Sequence, residues 1–347
     1  MSLCTIKSTL EEVIVNFRSL AIYTERVKTD IWSFLKLTKK RKKMMAKKLY
    51  LLRLSNVAPF RMLQLEEALM RGDDRNWCIT NRGSLPAHVV LGTGGKPRKL
   101  LDVERCERDG IPLIKRFSGG GTVVVDDGTL FVSFVGNSGE MAAVESAPKQ
   151  SDAKESPRDV MEWSGRLFTS VFSALGINDF ALTEHDYVFR GSADASGDAS
   201  SDSSAPTSAA ASADTTLAML SQQRKCAGNA QAFARRRWVH HTSFLWRFEA
   251  ARMAYLSLPE KRPDYRADRP HSDFLCSLES RGVASPEAFY DSLERELRAA
   301  YDVVDVDEAN FETIYAAADE RNERENHGRR TTRWVDAEGA KIEEPPH

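Results

Sequence analysis

KRFSGGGTVVVDDGTLFVSF, residues 115–134, sets three consecutive glycines between a basic, aromatic turn and two runs rich in β-formers. Three glycines in a loop let a backbone approach a ligand closely and leave amide N–H groups free to bind an anion. Taken alone, they are equally the mark of a tight turn. Their spacing is not that of the common nucleotide fingerprints. No G-x-x-x-x-G-K-[ST] is present, and the glycines lead into a strand rather than a helix, so neither a P-loop nor a dinucleotide fold is predicted. Beyond them, 122–127 and 129–135 read as strands joined at Asp127-Gly128, a type I′ hairpin signal because both central residues take positive φ.

Outward from this stretch, strands and helices alternate. A first strand is read at LYLLRL, 49–54, where a basic, acid-poor context also fits a mitochondrial presequence. Apolar positions from Phe60 to Met70 predict a helix, and short strands follow at 76–80 and 87–91. The clearest helix runs over 159–175, preceded by Pro157 and ended by Gly176. Residues 186–189 and 225–248 read as strands, Pro286 opens a helix to about Ala300, and 303–306 is β-rich. Residues 191–216 hold no apolar side chain larger than alanine, so they cannot offset the entropy of ordering and are expected to be disordered. An N-terminal extension, 1–46, ends in the basic cluster KKRKKMMAKK with Met44 and Met45 as alternative starts, and 326–347 is set apart as a flexible tail. The body, 47–325, predicts an α+β fold, a mixed and largely antiparallel sheet flanked by helices.

The chain of 347 residues carries net charge −1, so no global field points to nucleic acid or membrane. No apolar run is long enough to span a bilayer. Five scattered cysteines without a C-x-x-C pair argue for reduced thiols in an intracellular compartment, and no metal set is read.

A second stretch, RKCAGNAQAFARRRWVHHTSFLW at 224–246, sharpens the reading. With the first, it resembles the lipoate–protein ligase A family of the biotin/lipoate ligase superfamily. Arg116, Ser118, Gly119, Gly120, Gly121, Val123 and Asp126 match that family's R-R-x-S-G-G-G-x-V-x-x-D pattern. Lys225, Gly228, Asn229 and Ala230 match K-x-x-G-[SN]-A, followed by His240 and His241. The similarity covers about 50–275 and is strongest to a plant- and protist-type branch. Lys115 stands where many members have arginine, Val125 replaces a common histidine, and Thr242 follows His241 where glycine is usual.

The resemblance implies two acyl-transfer steps: lipoate and ATP form an acyl-adenylate, and a lysine of an acceptor lipoyl domain then attacks it. It gives Lys225 the catalytic role, Arg116 the phosphate oxygens, and Ser118 with the 119–121 amides the adenylate. Asp126 would orient the ribose or help hold Mg²⁺ arriving with the nucleotide, while Gly228, Asn229 and Ala230 complete the site. Alternation along a strand lets one of His240 and His241 face the site, and His241 is taken, as a hydrogen-bonding group rather than a metal ligand. Leu91, Val124, Phe131 and Phe134 either wall an acyl tunnel or form ordinary core. Acceptors implied are a 2-oxoacid dehydrogenase E2 or the glycine cleavage H protein, met by a monomer, with a mitochondrial location favoured over the cytoplasm. Two alternatives stand beside the ligase: an octanoyltransferase acting through a cysteine thioester, with Cys226 its handle, and a non-catalytic member that binds adenylates or lipoyl domains.

Overall fold

The computed structural model describes residues 47–83, 86–141, 155–191, 222–234, 236–258 and 263–345. The N-terminal extension to residue 46 and, beyond Gly191, the predicted disordered insert lie outside them. Strands β1 (Lys48–Ser55), β2 (Trp77–Arg82), β6 (Thr129–Asn137), β10 (Ala227–Ala234), β11 (Arg237–Leu245) and β12 (Asp302–Val306) form a six-stranded sheet in the order β10-β11-β6-β2-β1-β12. The β1 pairings are parallel and those of β2 with β6, β6 with β11 and β10 with β11 antiparallel. The sheet is thus mixed, as the sequence predicts.

The central strands β2, β6 and β11 are buried on both faces, while the edge strands β10 and β12 are partly exposed. Successive residues point to opposite sides. Leu51, Cys78 and Phe134 join an aromatic core with Phe168, Phe172 and Phe289 of α4 (Pro157–Ser173) and α7 (Pro286–Ala300). Leu52, Ile79 and Val135 pack instead on α1 (Pro59–Gly72) and α8 (Phe311–Asn326). Helix α4 starts where its sequence says. Ser156 and Asp159 form a reciprocal capping box, Pro157 takes the first turn, and Gly176 follows the helix at φ 80°.

A second sheet, ordered β14-β13-β4-β3-β5, comprises β3 (His88–Leu91), β4 (Leu113–Lys115), β5 (Val123–Val125), β13 (Arg333–Val335) and β14 (Lys341–Ile342). Two expectations are corrected here. The run after the glycines is not a hairpin: β5 pairs antiparallel with β3, while β6 belongs to the first sheet. Asp127-Gly128 is a corner between sheets, and neither residue takes positive φ. Gly128 N donates to Asp126 Oδ1 at 2.9 Å, and a Cβ on Gly128 would meet Arg247 O at 2.6 Å. Nor are residues 326–345 a free tail. β13 pairs antiparallel with β4, and Thr331 N and Thr332 N donate to the buried Glu67 carboxylate of α1. Helix α8 was also unread, because it buries only Phe311, Ile314, Ala318 and Asn322 along an otherwise charged surface.

A three-stranded sheet, β7 (Phe180–Thr183), β8 (Asp186–Phe189) and β9 (Arg224–Lys225), lies beside the hairpin β10–β11. Among the described residues, no helix is long and apolar enough to cross a membrane.

Candidate active site

The triglycine loop is fixed from three sides. Gly119 N donates to Gln231 O of β10 at 2.9 Å, and Thr93 N donates to Ser118 O at 3.0 Å. Gly120 takes φ 105°, and a Cβ there would meet Asn229 O at 2.7 Å, so only glycine fits. Gly121 is exposed, and a Cβ on it would find nothing within 4 Å. Two buried hydroxyls flank the glycines, Ser118 Oγ and Thr122 Oγ1, each without a hydrogen-bond partner among the described residues. The loop therefore combines an open backbone position with uncommitted donors.

Arg116 lies beneath this loop, 3% exposed. Its Nη2 donates to Gly119 O at 2.9 Å and Gly121 O at 2.7 Å, its Nε to Gly119 O at 3.3 Å, and its Nη1 to Val90 O at 3.3 Å. Burial pulls the guanidinium down to about 10, against a smaller opposing pull from Glu66. The geometry of Arg116 is that of a backbone clamp, since three of its N–H directions hold loop carbonyls and a fourth holds Val90 O of β3. Asp126 is likewise committed. One oxygen organises the corner at Gly128, and the other lies 2.6 Å from Arg252 Nη1 of α5 (Ala250–Met253). Asp126 lines neither cavity described below, and neither do Ser118, Gly119, Gly120 or Gly121.

Two cavities meet next to the loop. The larger, with about 580 Å³ of empty space including its open mouth, is walled by Thr122, Val123 and Val124 on one side and Lys225, Arg266 and His271 on another. The glycine ribbon thus runs directly into a cleft that contains the lysine. Lys225 Nζ lies 2.6 Å from Asp186 Oδ1, and Tyr265 Oη donates to Asp186 Oδ2 at 2.9 Å. Arg266 is buried, with its guanidinium 4.5 Å from the Phe274 ring centroid. Burial, then Arg266 and Lys225, push His271 down to about 4, which leaves it neutral at physiological pH. Asp186, Arg266 and His271 were absent from the sequence reading. They come from β8 and from 264–274, segments read only as a strand and as unassigned chain.

The smaller cavity, about 350 Å³, is chiefly apolar, with Met62, Leu63, Val125 and Phe131 in its wall. Arg116, Gly228, Asn229, Ala230 and His241 also line it. His241 Nδ1 lies 2.8 Å from both Glu66 Oε1 and Ser133 Oγ, and the serine hydroxyl donates to that same carboxylate oxygen at 2.5 Å. Glu66 Oε2 is buried with no partner among the described residues. Asn229 instead uses its side chain on protein groups, donating to His185 O and accepting from Thr242 Oγ1. His240 faces the opposite, aromatic core. Its ring contacts Tyr187 Oη at 3.0 Å and Gln231 Nε2 at 3.2 Å, and complete burial, then His241, lower it to about 3. The alternation argument for the two histidines therefore holds. Phe131 and Val124 line cavities, whereas Leu91 and Phe134 are core.

Cys226 points away from Lys225 into the aromatic core, fully buried, and its thiol is raised well above the usual range by desolvation. Trp238 is also fully buried. Among the described residues, no cysteine lines either cavity and no group of three or more His, Cys, Asp or Glu side chains could hold a metal ion.

The strand that leaves the glycine ribbon and a lysine wall one cleft beside a mixed sheet, an arrangement in accord with a domain of the biotin/lipoate ligase superfamily. The chain belongs to the family of the lipoyl protein ligase A/B catalytic domain, matched over residues 58–309. It is similar to the inactive lipoate–protein ligase 2 of Plasmodium falciparum (isolate 3D7), 26% identical over 249 residues that cover 64% of this chain and 56% of that one. The chain thus spans about half the length of that curated relative. It also shares its fold with two solved structures. One is an archaeal bipartite lipoate protein ligase and its E2 lipoyl domain from Thermoplasma acidophilum: TM-score 0.51, 17% identity, covering 78% of this chain and 91% of that one. The other is lipoate-protein ligase A bound with ATP: TM-score 0.51, 16% identity, covering 78% and 93%.

Proposed function

We propose that this chain joins lipoate, or a similar medium-chain acid, to a lysine of an acceptor lipoyl domain, using ATP through an acyl-adenylate. The observation that carries this reading is the cleft walled by both Lys225 and the residues leaving the triglycine loop, opening beside an apolar cavity. A carboxylate oxygen of the acid attacks the α-phosphorus of ATP, and the bond to the leaving pyrophosphate breaks. The acceptor amine then attacks the acyl carbon, AMP leaves, and the amine sheds a proton. Negative charge grows on phosphoryl and acyl oxygens in both steps, so fixed donors and cations contribute most. Lys225 supplies that charge, and Asp186 and Tyr265 set its direction. Gly120 and Gly121 present backbone to the nucleotide, with Ser118 and Thr122 as adjacent hydroxyls, while Arg116 holds the Gly119 and Gly121 carbonyls in place. Mg²⁺ would enter with the ATP phosphates and neutralise part of their charge. The apolar cavity takes the acyl chain, with His241 its polar wall. The acceptors expected are E2 and glycine cleavage H lipoyl domains, and the mitochondrial location follows from where such acceptors reside.

A second reading, binding without turnover, is favoured by one specific observation: Lys225 is already paired with Asp186 at 2.6 Å. The transferase alternative loses its handle with Cys226 buried. Incubation of an apo lipoyl domain with the chain, lipoate, ATP and Mg²⁺, read by gel shift and mass, separates these. ATP-dependent lipoylation with pyrophosphate release supports the ligase. Modification from an acyl-carrier thioester without ATP would establish the transferase, and binding of ATP and acid with no modification the second reading.

A further inference from the structure

The triglycine loop rests on two residues of the edge strand β10. Gly119 N donates to Gln231 O at 2.9 Å, and a Cβ on Gly120 would stand 2.7 Å from Asn229 O. The side chains of the same two residues reach β11, which sets His240 opposite Gln231 and Thr242 opposite Asn229. The hydrogens of this group are fixed by its neighbours. Gln231 Nε2 donates to Pro157 O at 3.3 Å, a partner that only accepts, so the atom turned to His240 Nδ1 at 3.2 Å is a donor and Nδ1 is bare. Asn229 Nδ2 donates to His185 O at 3.2 Å, which turns its Oδ1 to Thr242. The threonine hydroxyl spends its hydrogen there at 3.0 Å and only accepts from His240 Nε2 at 3.3 Å. Ser164 Oγ spends its hydrogen on Val160 O at 2.7 Å. Tyr187 Oη therefore donates to that serine at 2.6 Å and accepts from His240 Nε2 at 3.0 Å. Three separate chains of partners lead to one tautomer, with the proton on Nε2.

We infer that His240 is a positioning residue for the triglycine loop, acting on it through Gln231 from the aromatic core behind the hairpin. Through Nδ1 it holds the Gln231 amide, and with it the residue whose carbonyl takes Gly119 N. Through Nε2 it holds Thr242, and with it Asn229, whose carbonyl lies against Gly120. The ring is fully buried, so a partner lost here is left unpaired. The two histidines thus divide the work: His241 lines a cavity, and His240 braces the strand that carries the loop. The bracing is independent of any ligand, and its consequence for nucleotide binding rests on the ligase reading above.

Two substitutions each keep the role of one ring nitrogen. The side-chain oxygen of asparagine stands where Nδ1 accepts, and the amide nitrogen of glutamine stands where Nε2 donates. His240→Asn therefore keeps the bond from Gln231, and His240→Gln loses it. Amide hydrogen exchange of the full chain reads the loop with no ligand present. Gly119 N–H is protected in the parent and in His240→Asn, and exchanges about tenfold faster in His240→Gln, the weight of one hydrogen bond. Gln231→Ala, at a half-buried position, matches His240→Gln, and the double variant exchanges no faster than either. ATP titration follows the same order, about tenfold weaker in His240→Gln and near the parent in His240→Asn. Nitrogen-15 spectra, with the His240 signals identified by their loss in His240→Asn, show the proton on Nε2. Equal protection of Gly119 in the parent and His240→Gln, equal loss in both His240 variants, or a proton on Nδ1 overturns the positioning role. A parent that binds no ATP but shows the expected exchange pattern overturns the ligase reading and leaves the positioning role standing. Should neither His240 variant fold, Gln231→Ala decides alone, and unchanged Gly119 exchange there overturns the role.

Discussion

Arg116→Lys separates two roles for one buried cation. The guanidinium makes four N–H···O contacts to three carbonyls, two of them in the triglycine loop. An ammonium is a point donor without the planar fork, so it can serve one loop carbonyl but not all three. Losing two charge-assisted contacts, at about 1.5–3 kcal/mol each, destabilises the chain by roughly 3–6 kcal/mol. At about 2 °C per kcal/mol for a chain of this size, the thermal midpoint falls by roughly 6–12 °C. The same desolvation that lowers the guanidinium acts on a lysine there, pushing it toward the neutral form and deepening the loss. Because Val123, in the strand that leaves the loop, lines both cavities, ATP and octanoate should weaken together. Scanning calorimetry paired with titration of each ligand reads all three quantities. An unchanged midpoint with selective loss of ATP binding would refute this reasoning and return Arg116 to the phosphates.

The glycines make a paired test. Gly120→Ala, with φ 105° and backbone 2.7 Å from its new Cβ, should lower the midpoint and abolish ATP binding, whereas Gly121→Ala has open space and should weaken ATP with the midpoint held. Equal loss of stability in both variants would mean Gly121 serves folding rather than ligand. Lys225→Ala should cut ATP–pyrophosphate exchange by about 10³-fold, the scale of a lost oxyanion donor. Its circular dichroism should stay near the parent's while its thermal midpoint falls, because Asp186 loses its counter-charge, and exchange at parental rates would dismiss Lys225 from catalysis. His240 should contribute to acid lability. Its folded value of about 3 lies below the ordinary 6.5, so the unfolded chain binds the extra proton between these limits and stability falls as pH drops through them. That amounts to about 1.4 kcal/mol per pH unit below 6.5, and urea unfolding at pH 7 and 5 should show a smaller drop in His240→Gln.

The sequence made some of this legible and hid the rest for identifiable reasons. Helix α4 was readable because a capping box, an apolar stripe and a terminating glycine all agree within one segment. β5 was misassigned because Asp127-Gly128 is a true turn signal, but which strand β5 pairs with depends on β3, some 35 residues upstream. α8 and β13 were missed because their burial is supplied by α1 and β4 rather than by periodicity of their own. The site divides along the same line. Two motifs were enough to put Lys225 and the residues that follow the glycines, Thr122 to Val124, on one cleft. They could not show that Arg116 turns inward or that Asp126 is held by Arg252, since side-chain partners follow from tertiary placement.

The distribution of charge explains why the site takes this form. A lysine only 25% exposed in a cleft that also holds a buried arginine would be costly without a counter-charge, and Asp186 provides it. His271 adds no positive charge because burial, and after it the charges of Arg266 and Lys225, keep it neutral. The wall beyond Val123 is chiefly apolar, and its polar members are Asn229, Ser243, Arg116, which donates to loop carbonyls, and His241, which is paired with Glu66. One end of the space therefore suits an anion and the other suits hydrocarbon. Of the molecules a mixed sheet could hold here, an acid with its charge at one end and its bulk at the other satisfies both halves at once. A nucleotide alone would leave the apolar half unfilled, and an uncharged lipid would leave Lys225 with Asp186.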